Sequence, residues 1–343
     1  MKKIPKTSKR LTLSQYLWNR RINQKYLPHA GYMGNGGDIH LLLGVSGTGI
    51  NHLTHLLSQL PNSRIIHNPL TKFEPKLTLS KYAHRLAIAY HKELSADHPL
   101  NRVYRIYAEM DLAESNHDLL LIESTASARS SLILKETNGL LATEALLREL
   151  QCHALFYISD PVILAEQIFS REGFDTTYLD LESKAVMDSR FLKRFLYHDL
   201  REILHAYKLI QRLTSERQRR VQMKIFTIAL TQHMFRMLAA RYPELASVVD
   251  FESIEHDPKC LQYPLVNWLG PDSLEGSERI FNTASFKPDG QKSLRWTRSW
   301  PETINTFETL SARDVSLAYQ ILIDHKLVRG EGKHKTWDDR AAV

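Results

Sequence analysis

The sequence predicts an α/β protein with a central parallel sheet flanked by helices, and three observations lead to this prediction. Short, continuous apolar runs recur along the chain, as in strands that are buried on both faces of a parallel sheet. Amphipathic stretches of helical period separate these runs, which favours strands and helices in alternation. The first run also leads through a glycine-rich turn into a helical pattern, an order typical of phosphate-binding α/β units.

The strands are predicted from the apolar runs that lie between glycines, polar clusters and helical patterns. The first run, IHLLL, ends directly at Gly44, and a run of the type ALFYI recurs later in the chain. Such runs are too short for helices and are typical of strands that are buried in a parallel sheet. The predicted strands cover residues 39–43, 64–66, 119–122, 154–158 and 246–250.

The helices are predicted from apolar residues that recur at spacings of three and four. The longest amphipathic stretch, 191–227, is expected to hold two helices with a break near Thr214 and Ser215. The last main helix should end at Gly270, since glycine commonly follows a helix C-terminus. The predicted helices cover residues 11–29, 50–60, 80–94, 140–150, 191–227 and 257–269.

The composition is that of a globular protein. The chain has 343 residues, of which 43% are apolar and 24% are charged, and this excludes collagen-like and disordered classes. No stretch approaches the roughly 18 consecutive apolar residues of a membrane helix, and the N-terminus lacks the apolar segment of a secretory signal. Two cysteines are too few for a disulfide framework or a Cys-rich zinc site. We therefore expect a cytoplasmic protein without a metal.

The positive charge is concentrated at the N-terminus. The net charge is +7, and eight basic residues with no acidic one precede Asp38. We therefore divide the chain into a basic arm at 1–37, an α/β domain at 38–325 and a tail at 326–343. A basic arm can attract nucleic acid, an anionic membrane or an acidic substrate, and a solvated leader that packs loosely on the domain is the alternative. No recognisable nucleic-acid-binding module accompanies it, so we expect no nucleic acid partner.

A glycine-rich loop joins the first predicted strand to the first predicted helix. It reads Gly44-Val45-Ser46-Gly47-Thr48-Gly49. Its glycines let the backbone approach a ligand closely, and the N–H groups at a helix N-terminus attract anions. The hydroxyls of Ser46 and Thr48 add two donors. The loop predicts a phosphate site, with a tight strand–helix turn that binds nothing as the alternative.

Two families of phosphate loop compete for this segment. In the kinase type, G-x-x-x-x-G-K-[ST], Gly44 and Gly49 match, but Ile50 replaces the lysine and Asn51 the hydroxyl residue. The chain thus lacks both the cation and the magnesium ligand of that loop, so nucleoside-triphosphate chemistry is not expected. The loop of the sulfotransferases reads roughly [Arg/Lys]-Ser-Gly-Thr-[Ser/Thr] and needs no magnesium, and residues 46–48 match its core.

Four stretches, in the right order, resemble sulfotransferases that use 3′-phosphoadenosine-5′-phosphosulfate. The first is the strand, Ser-Gly-Thr loop and helix at 41–60. The second, ALFYISDPVILAEQ at 154–167, resembles the family's strand, Arg-Asp-Pro and helix. The third, at 248–270, resembles its strand and Asp-Pro … Leu-Gly segment. The fourth, SLRW at 293–296 with WPE at 300–302, resembles the late Gly-Arg-Trp segment of bacterial members.

The resemblance covers roughly residues 38–310 and implies the P-loop-like sulfotransferase fold. It implies transfer of a sulfuryl group to a hydroxyl or amine of a carbohydrate or small-molecule acceptor, without a metal. The sequence does not name that acceptor. The amphipathic stretch 191–227 offers either a homodimer surface or further core packing.

The chain departs from the family where the donor's phosphates are bound. Val45 stands in place of the Arg or Lys before Ser-Gly-Thr, Ser159 in place of the arginine of Arg-Asp-Pro, and Gln167 in place of that arginine's partner serine. Hydrogen bonds that involve an ion are about twice as strong as neutral ones. The losses weaken donor binding unless other cations replace them. A catalytically inactive sulfotransferase-fold protein that acts as a binding module is therefore the alternative function.

The resemblance implies a set of donor-binding residues. Arg171 and Arg295 are candidates to supply the missing charge, although an exposed arginine is the alternative for each. Trp296 either stacks on adenine or packs in the core. The implied donor-binding residues are Ser46, Gly47, Thr48, Gly49, Ser159, Arg171, Arg295 and Trp296.

The candidate catalytic residues are His67, Glu123 and Lys135. Lys135 lies in a region where family members often carry a lysine near the acceptor, and a surface lysine is the alternative. His67 and Glu123 follow predicted strands, and open α/β sheets bind their ligands at strand carboxyl ends. Either is a candidate for the base that takes the acceptor's proton, with a packed polar strand end as the alternative.

Overall fold

A computed structural model of the chain provides the structure. The residues that it describes are 39–46, 50–57, 63–68, 88–95, 98, 100–101, 131–150, 152–173, 178–196, 199–256, 258–270 and 309–327. The strands are β1 Ile39–Gly44, β2 Ser63–His67, β3 Ser131–Glu136, β4 His153–Ile158 and β5 Ala246–Asp250. The helices are α1 Ile50–Leu57, α2 Thr143–Leu150, α3 Pro161–Glu172, α4 Tyr178–Val186, α5 Ser189–Phe195, α6 Leu200–Gln211, α7 Glu216–Arg241, α8 Phe251–His256, α9 Gln262–Leu269 and α10 Ala312–Asp324.

The strands form one parallel sheet in the order β2-β3-β1-β4-β5, so the predicted α/β class with helices on both faces is confirmed. β1 lies in the centre, and its residues Leu41, Leu42 and Leu43 are all fully buried. A strand with both faces covered needs apolar residues at successive positions. This requirement explains why the first apolar run of the sequence is continuous and not alternating.

Two hydrophobic cores cover the two faces of the sheet. Leu42 and Ile133 lie in one core with α1, α8 and α9. Leu41 and Leu134 lie in the other with α2, α3 and α7, where the rings of Phe156 and Phe235 stack with centroids 4.7 Å apart. Right-handed crossovers require this division, because the chain moves in opposite directions along the sheet after β1 and after β3.

The long amphipathic stretch packs within the chain. Its predicted break near Thr214 and Ser215 is confirmed, and the hydroxyl of Ser215 caps α7 by accepting a hydrogen bond from the N–H of Gln218. The stretch holds three helices, not two, because α5 ends at Phe195 and α6 begins at Leu200. Most apolar residues of α5, α6 and α7 are buried in the core of this chain, and Leu209 is an exposed exception. Core packing therefore accounts for the apolar face that also suggested a homodimer.

Two other element predictions require correction. The helix predicted at 80–94 is wrong for residues 89–94, which are irregular. Tyr90 and Leu94 have helical spacing, but each is buried in the core from a bent segment. That segment ends in a turn in which the carbonyl of Ser95 accepts the N–H of His98. The start of the helix predicted at 257–269 is a short 3₁₀ turn, Pro258–Leu261, which precedes α9.

The remaining predictions fall partly outside the described residues. The strand predicted at 119–122 lies outside them, and β3 at Ser131–Glu136 is a strand that was not predicted. The basic arm 1–37 also lies outside, whereas Leu327, just past the domain boundary expected at 325, is buried in the core. No helix in the described part of the chain has the length and apolar character needed to cross a membrane.

Candidate functional site

The sheet topology marks one edge as the place for a ligand. The chain leaves β1 toward one face of the sheet and leaves the neighbouring β3 toward the other. Ligands of open α/β sheets bind outside the carboxyl ends of strands at such a point. At this edge lie Ser46 after β1, Asn68 after β2, Lys135 near the end of β3 and Ser159 after β4.

Lys135 is a buried cation at this edge. It stands in register with Leu42 of β1 and His67 of β2, and it is 3% exposed. Burial lowers its pKa to about 8, against the opposing effect of the Glu136 carboxylate. Its Nζ donates a hydrogen bond of 3.0 Å to the neutral Oδ1 of Asn68. Among the described residues, no carboxylate lies within ion-pair distance of Nζ, so this charge can be offered to an anion.

Strand alternation places Lys135 on the face of the sheet that α1 covers. Side chains along a strand point alternately to opposite faces, and Ile133, two residues earlier, packs with Ile50 and Leu42 in the core beneath α1. Ile50 is the first residue of α1, directly after the glycine loop. The buried cation and the helix that follows the loop thus share one face of the sheet.

Asn68 joins the ends of β2 and β3, and the sequence analysis missed it. Its N–H donates to the carbonyl of Lys135 at 2.6 Å, and its Oδ1 also accepts from Oγ1 of Thr137 at 3.3 Å. Its φ of 46° is in the left-handed region, which Asn tolerates better than most residues do. An Asn two residues after the predicted strand 64–66 was the available signal.

Glu136 holds the turn after β3. Its side chain is fully buried, and its Oε1 accepts hydrogen bonds from the N–H groups of Thr137 at 2.8 Å and Asn138 at 2.7 Å. The turn closes at Gly139, whose φ of 68° is favourable only for residues that adopt the left-handed region easily. As the next residue after Lys135, Glu136 points to the opposite face of the sheet. Its carboxylate is therefore engaged in backbone structure.

The start of the glycine loop explains the first departure from the sulfotransferase pattern. Val45 packs in the core with Leu41 and Leu43 and is 9% exposed. Its side chain thus fills the face of the sheet opposite α1, and this position offers no charge to a ligand. Ser46 is partly exposed at the strand end, and the first turn of α1 contains no acidic residue. Residues 47–49 lie outside the described residues.

The segment after β4 forms a capped helix start. Asp160 caps α3 by accepting the N–H groups of Val162 at 2.8 Å and Ile163 at 3.2 Å, and its other oxygen accepts from the hydroxyl of Tyr319 at 2.8 Å. Ser159, directly before it, is 6% exposed. On α3, Oε1 of Gln167 is buried and has no hydrogen-bond partner among the described residues.

The structure brings part of the predicted site together at the sheet edge. Ser46, Lys135 and Ser159 are described there with their side chains, and the backbone of His67 ends β2. Arg171 lies on the last turn of α3, with its side chain outside the description. The predicted residues that lie wholly outside the described ranges are Gly47, Thr48, Gly49, Glu123, Arg295 and Trp296. For these, the assigned roles stay predictions.

Comparisons with known proteins find similarity at the level of structure. No model of a known protein family matches the chain, and no curated protein matches its sequence. A sulfotransferase from Alicyclobacillus acidocaldarius, known from a crystal structure, is similar at 14% sequence identity and a TM-score of 0.34, over 72% of this chain and 92% of that one. At this TM-score the likeness carries no functional conclusion, and the function has to be inferred from the residues.

Proposed function

We propose that the protein is a sulfotransferase that transfers a sulfuryl group from 3′-phosphoadenosine-5′-phosphosulfate to a hydroxyl or amine of a carbohydrate or small-molecule acceptor. The observation that carries this proposal is the position of Lys135. This buried lysine lies at the carboxyl end of β3, on the face of the sheet that α1 covers. The Ser-Gly-Thr-Gly loop begins at the end of the adjacent strand β1. A loop of backbone donors beside a buried cation suits a ligand with several negative charges.

The described residues fit an anionic donor. The donor supplies the sulfuryl group when it is bound. Ser46 and the backbone of residues 47–49 would hold its phosphosulfate end, and the acid-free first turn of α1 leaves the helix N-terminus attractive to anions. Lys135, whose pKa is about 8, is mostly protonated at neutral pH and would stabilise negative charge on oxygen. Such positioned charges dominate the related phosphoryl transfers.

The proton of the acceptor needs a separate base. Glu136 is excluded from this role, since its carboxylate holds two backbone N–H groups on the other side of the sheet. His67 and Glu123 remain the two candidates, each at a predicted strand end. Arg171, Arg295, Trp296 and Ser159 are retained as proposed contacts to the nucleotide part of the donor. We propose that the transfer reaction itself needs no metal and that the protein has no nucleic acid partner. We place it in the reducing cytoplasm, where Cys152 and Cys260 stay free thiols.

A second candidate function is a binding module that keeps this fold without catalysis. Val45 favours it, because its side chain lies in the core where the family carries a cation. Ser159 also favours it, as a nearly buried hydroxyl replaces an arginine. In this case the anion site at the sheet edge has lost part of its charge, and the protein would recognise a partner or glycan without changing it.

Transfer of labelled sulfate to a panel of hydroxyl and amine acceptors tests the proposal. The variants are Lys135→Met, which keeps the length of the side chain and removes its charge, and Lys184→Met, a control on the exposed face of α4. We expect Lys135→Met to lower the transfer rate about 100-fold and Lys184→Met to leave it unchanged. Sulfate transfer that is equal in all three proteins would remove Lys135 from the site. Donor binding without transfer to any acceptor would favour the binding module.

A further inference from the structure

Three potential metal ligands meet where α6 contacts the C-terminal end of α10. Glu202 and His205 are three residues apart on α6, so their side chains share one face of the helix. His325 follows the last residue of α10. One oxygen or nitrogen from each of these side chains lies within 4.8 Å of the others.

The backbone holds His325 firmly in this place. The N–H of Lys326 donates to the carbonyl of Ile323 at 2.9 Å, and the N–H of Leu327 donates to the carbonyl of Leu322 at 2.8 Å. With φ of 57° at Lys326, this is a Schellman motif, which satisfies the last carbonyls of a helix. Leu327 is buried beyond it. The backbone position of His325 is therefore fixed by the end of the helix.

The imidazole of His325 carries an unsatisfied nitrogen toward the carboxylate of Glu202. His325 is 5% exposed, and among the described residues its buried Nδ1 has no hydrogen-bond partner. The same Nδ1 lies 3.4 Å from Oε2 of Glu202, and the ring centroid of His205 is 5.5 Å from that of His325. A buried nitrogen that lacks a hydrogen bond destabilises the fold, so a ligand for this atom would be stabilising.

The distance between Nδ1 of His325 and Oε2 of Glu202 fits two ligands of one metal ion better than it fits a direct hydrogen bond. Hydrogen bonds between nitrogen and oxygen are about 2.7–3.2 Å long. Two ligands that each lie about 2.0–2.1 Å from a tetrahedral zinc ion are roughly 3.4 Å from each other. The distance of 3.4 Å between His325 and Glu202 thus corresponds to two ligands on either side of one ion. The ligand atom of His205 lies within 4.8 Å of the other two, on the exposed surface of α6.

We propose that Glu202, His205 and His325 bind one divalent transition-metal ion, with Zn²⁺ as the best fit to the ligand set. Two imidazoles and a carboxylate are a zinc ligand set that leaves a fourth position for water. A cleft of about 470 Å³ beside the cluster, lined by Arg201, Glu202, Leu204, His205 and Lys208, gives the ion access. Arg201 and Lys208 oppose a cation, but both are exposed and screened by salt.

Bound metal would connect α10 to α6 and stabilise the C-terminal part of the fold. Because ligands that bind only the folded state add to its stability, the metal should raise the unfolding temperature. No residue of the sheet edge takes part in this cluster. The metal site and the proposed transfer reaction are therefore independent, and either can fail without the other.

The test is a calorimetric titration of the full chain with zinc after removal of metals by a chelator. The variants are Glu202→Gln, which keeps the shape of an exposed side chain, and His205→Ala. The control is His91→Ala, in which a histidine is lost from a pair with His98 whose ring centroids are 4.8 Å apart. Thermal unfolding with and without zinc gives a second measurement on the same proteins.

We expect one zinc site in the wild type and in His91→Ala, with at least a tenfold loss of affinity in Glu202→Gln and His205→Ala. Zinc should raise the unfolding temperature of the first two proteins and not that of the last two. Equal zinc binding in all four proteins would place the ion on other histidines and overturn the proposal. The absence of zinc binding to the wild type would overturn it as well.

Discussion

Nζ of Lys135 donates a hydrogen bond of 3.0 Å to Oδ1 of Asn68, across the carboxyl ends of β3 and β2. The acceptor is a neutral amide, so the bond orients the ammonium group without neutralising it. An anion that reaches this edge would meet a positive charge already desolvated and held in place. Preorganised charges of this kind stabilise developing negative charge without reorganisation.

The pH dependence of donor binding should follow Lys135. Its pKa lies at about 8 because burial disfavours the charged form. We expect the affinity for 3′-phosphoadenosine-5′-phosphate to be constant below pH 8 and to fall by up to about tenfold for each pH unit above it. Lys135→Arg should remove this dependence, since arginine stays protonated. A wild-type affinity that does not change between pH 7 and pH 10 would contradict the role of Lys135.

The lowered pKa of Lys135 also predicts how the stability of the fold depends on pH. The pKa of Lys135 is lower in the folded than in the unfolded chain, so between the two values the unfolded chain binds more protons. The free energy of unfolding should therefore gain a contribution as pH rises from about 8 toward the ordinary range of lysine. Lys135→Met should lack that contribution. Urea unfolding of both proteins at a series of pH values measures it, and a contribution of opposite sign would show that Lys135 is stabilised as a cation.

Asn68 contributes through both its side chain and its backbone conformation. Asn68→Gly keeps the left-handed conformation and removes the amide, and Asn68→Ala removes the amide and adds strain at φ of 46°. We expect Asn68→Gly to lower the free energy of unfolding by about 1–3 kcal/mol, because Nζ of Lys135 loses its acceptor. Asn68→Ala should cost about 1–2 kcal/mol more. Equal stability of the two variants in urea would show that the backbone conformation is not strained for alanine.

Glu144 should govern stability in acid. This buried carboxylate accepts hydrogen bonds from Arg194, from Arg241 at 3.1 Å and from the hydroxyl of Tyr242 at 2.9 Å. Burial alone would raise its pKa, but the hydrogen bonds from Arg194 and Tyr242 and the positive charges of Arg194 and Arg241 together lower it. The network therefore stabilises the fold above the ordinary pKa of glutamate, and this stability is lost as pH falls through the lower pKa of the folded state.

Replacement of Glu144 tests that network. Glu144→Gln should cost about 3–5 kcal/mol at neutral pH, as for other buried ion pairs that lose one partner. The free energy of unfolding of this variant should also depend less on pH in the acidic range. Glu216→Gln is the control, since Glu216 pairs with Arg220 on the surface of α7 with 65% of its side chain exposed. If Glu144→Gln unfolds in acid with the same pH profile as the wild type, another group is responsible.

The sequence was most informative where burial alone decides the structure. The runs that form β1 and β4 are apolar except at His40 and His153, so they can be assigned to strands without knowledge of the neighbouring elements. β3 escaped prediction because Lys135 and Glu136 end it, and both residue types are depleted in strands. The bent segment with Tyr90 and Leu94 was wrongly predicted to be helical. The spacing of apolar residues indicates which of them are buried, but it does not determine the backbone conformation of the segment.

The site depends on relationships that a single sequence does not carry. Lys135 was singled out by family resemblance, but its pairing with Asn68 follows from the register of β2 against β3. His325 meets Glu202 only because α10 returns to pack beside α6. Val45 shows the same limit, since its place in the core depends on which face the strand presents after Gly44. These contacts follow from topology and not from local pattern.

A calorimetric titration with 3′-phosphoadenosine-5′-phosphate, without magnesium, tests the central claim most directly. It should be run on the wild type, Lys135→Met and Lys184→Met, with ATP and magnesium as the competing ligand. We expect micromolar binding of the bisphosphate to the wild type and Lys184→Met, at least tenfold weaker binding to Lys135→Met, and no comparable binding of ATP. Absence of bisphosphate binding to the wild type, or equal binding to all three proteins, would contradict a donor site at the carboxyl ends of β1 and β3.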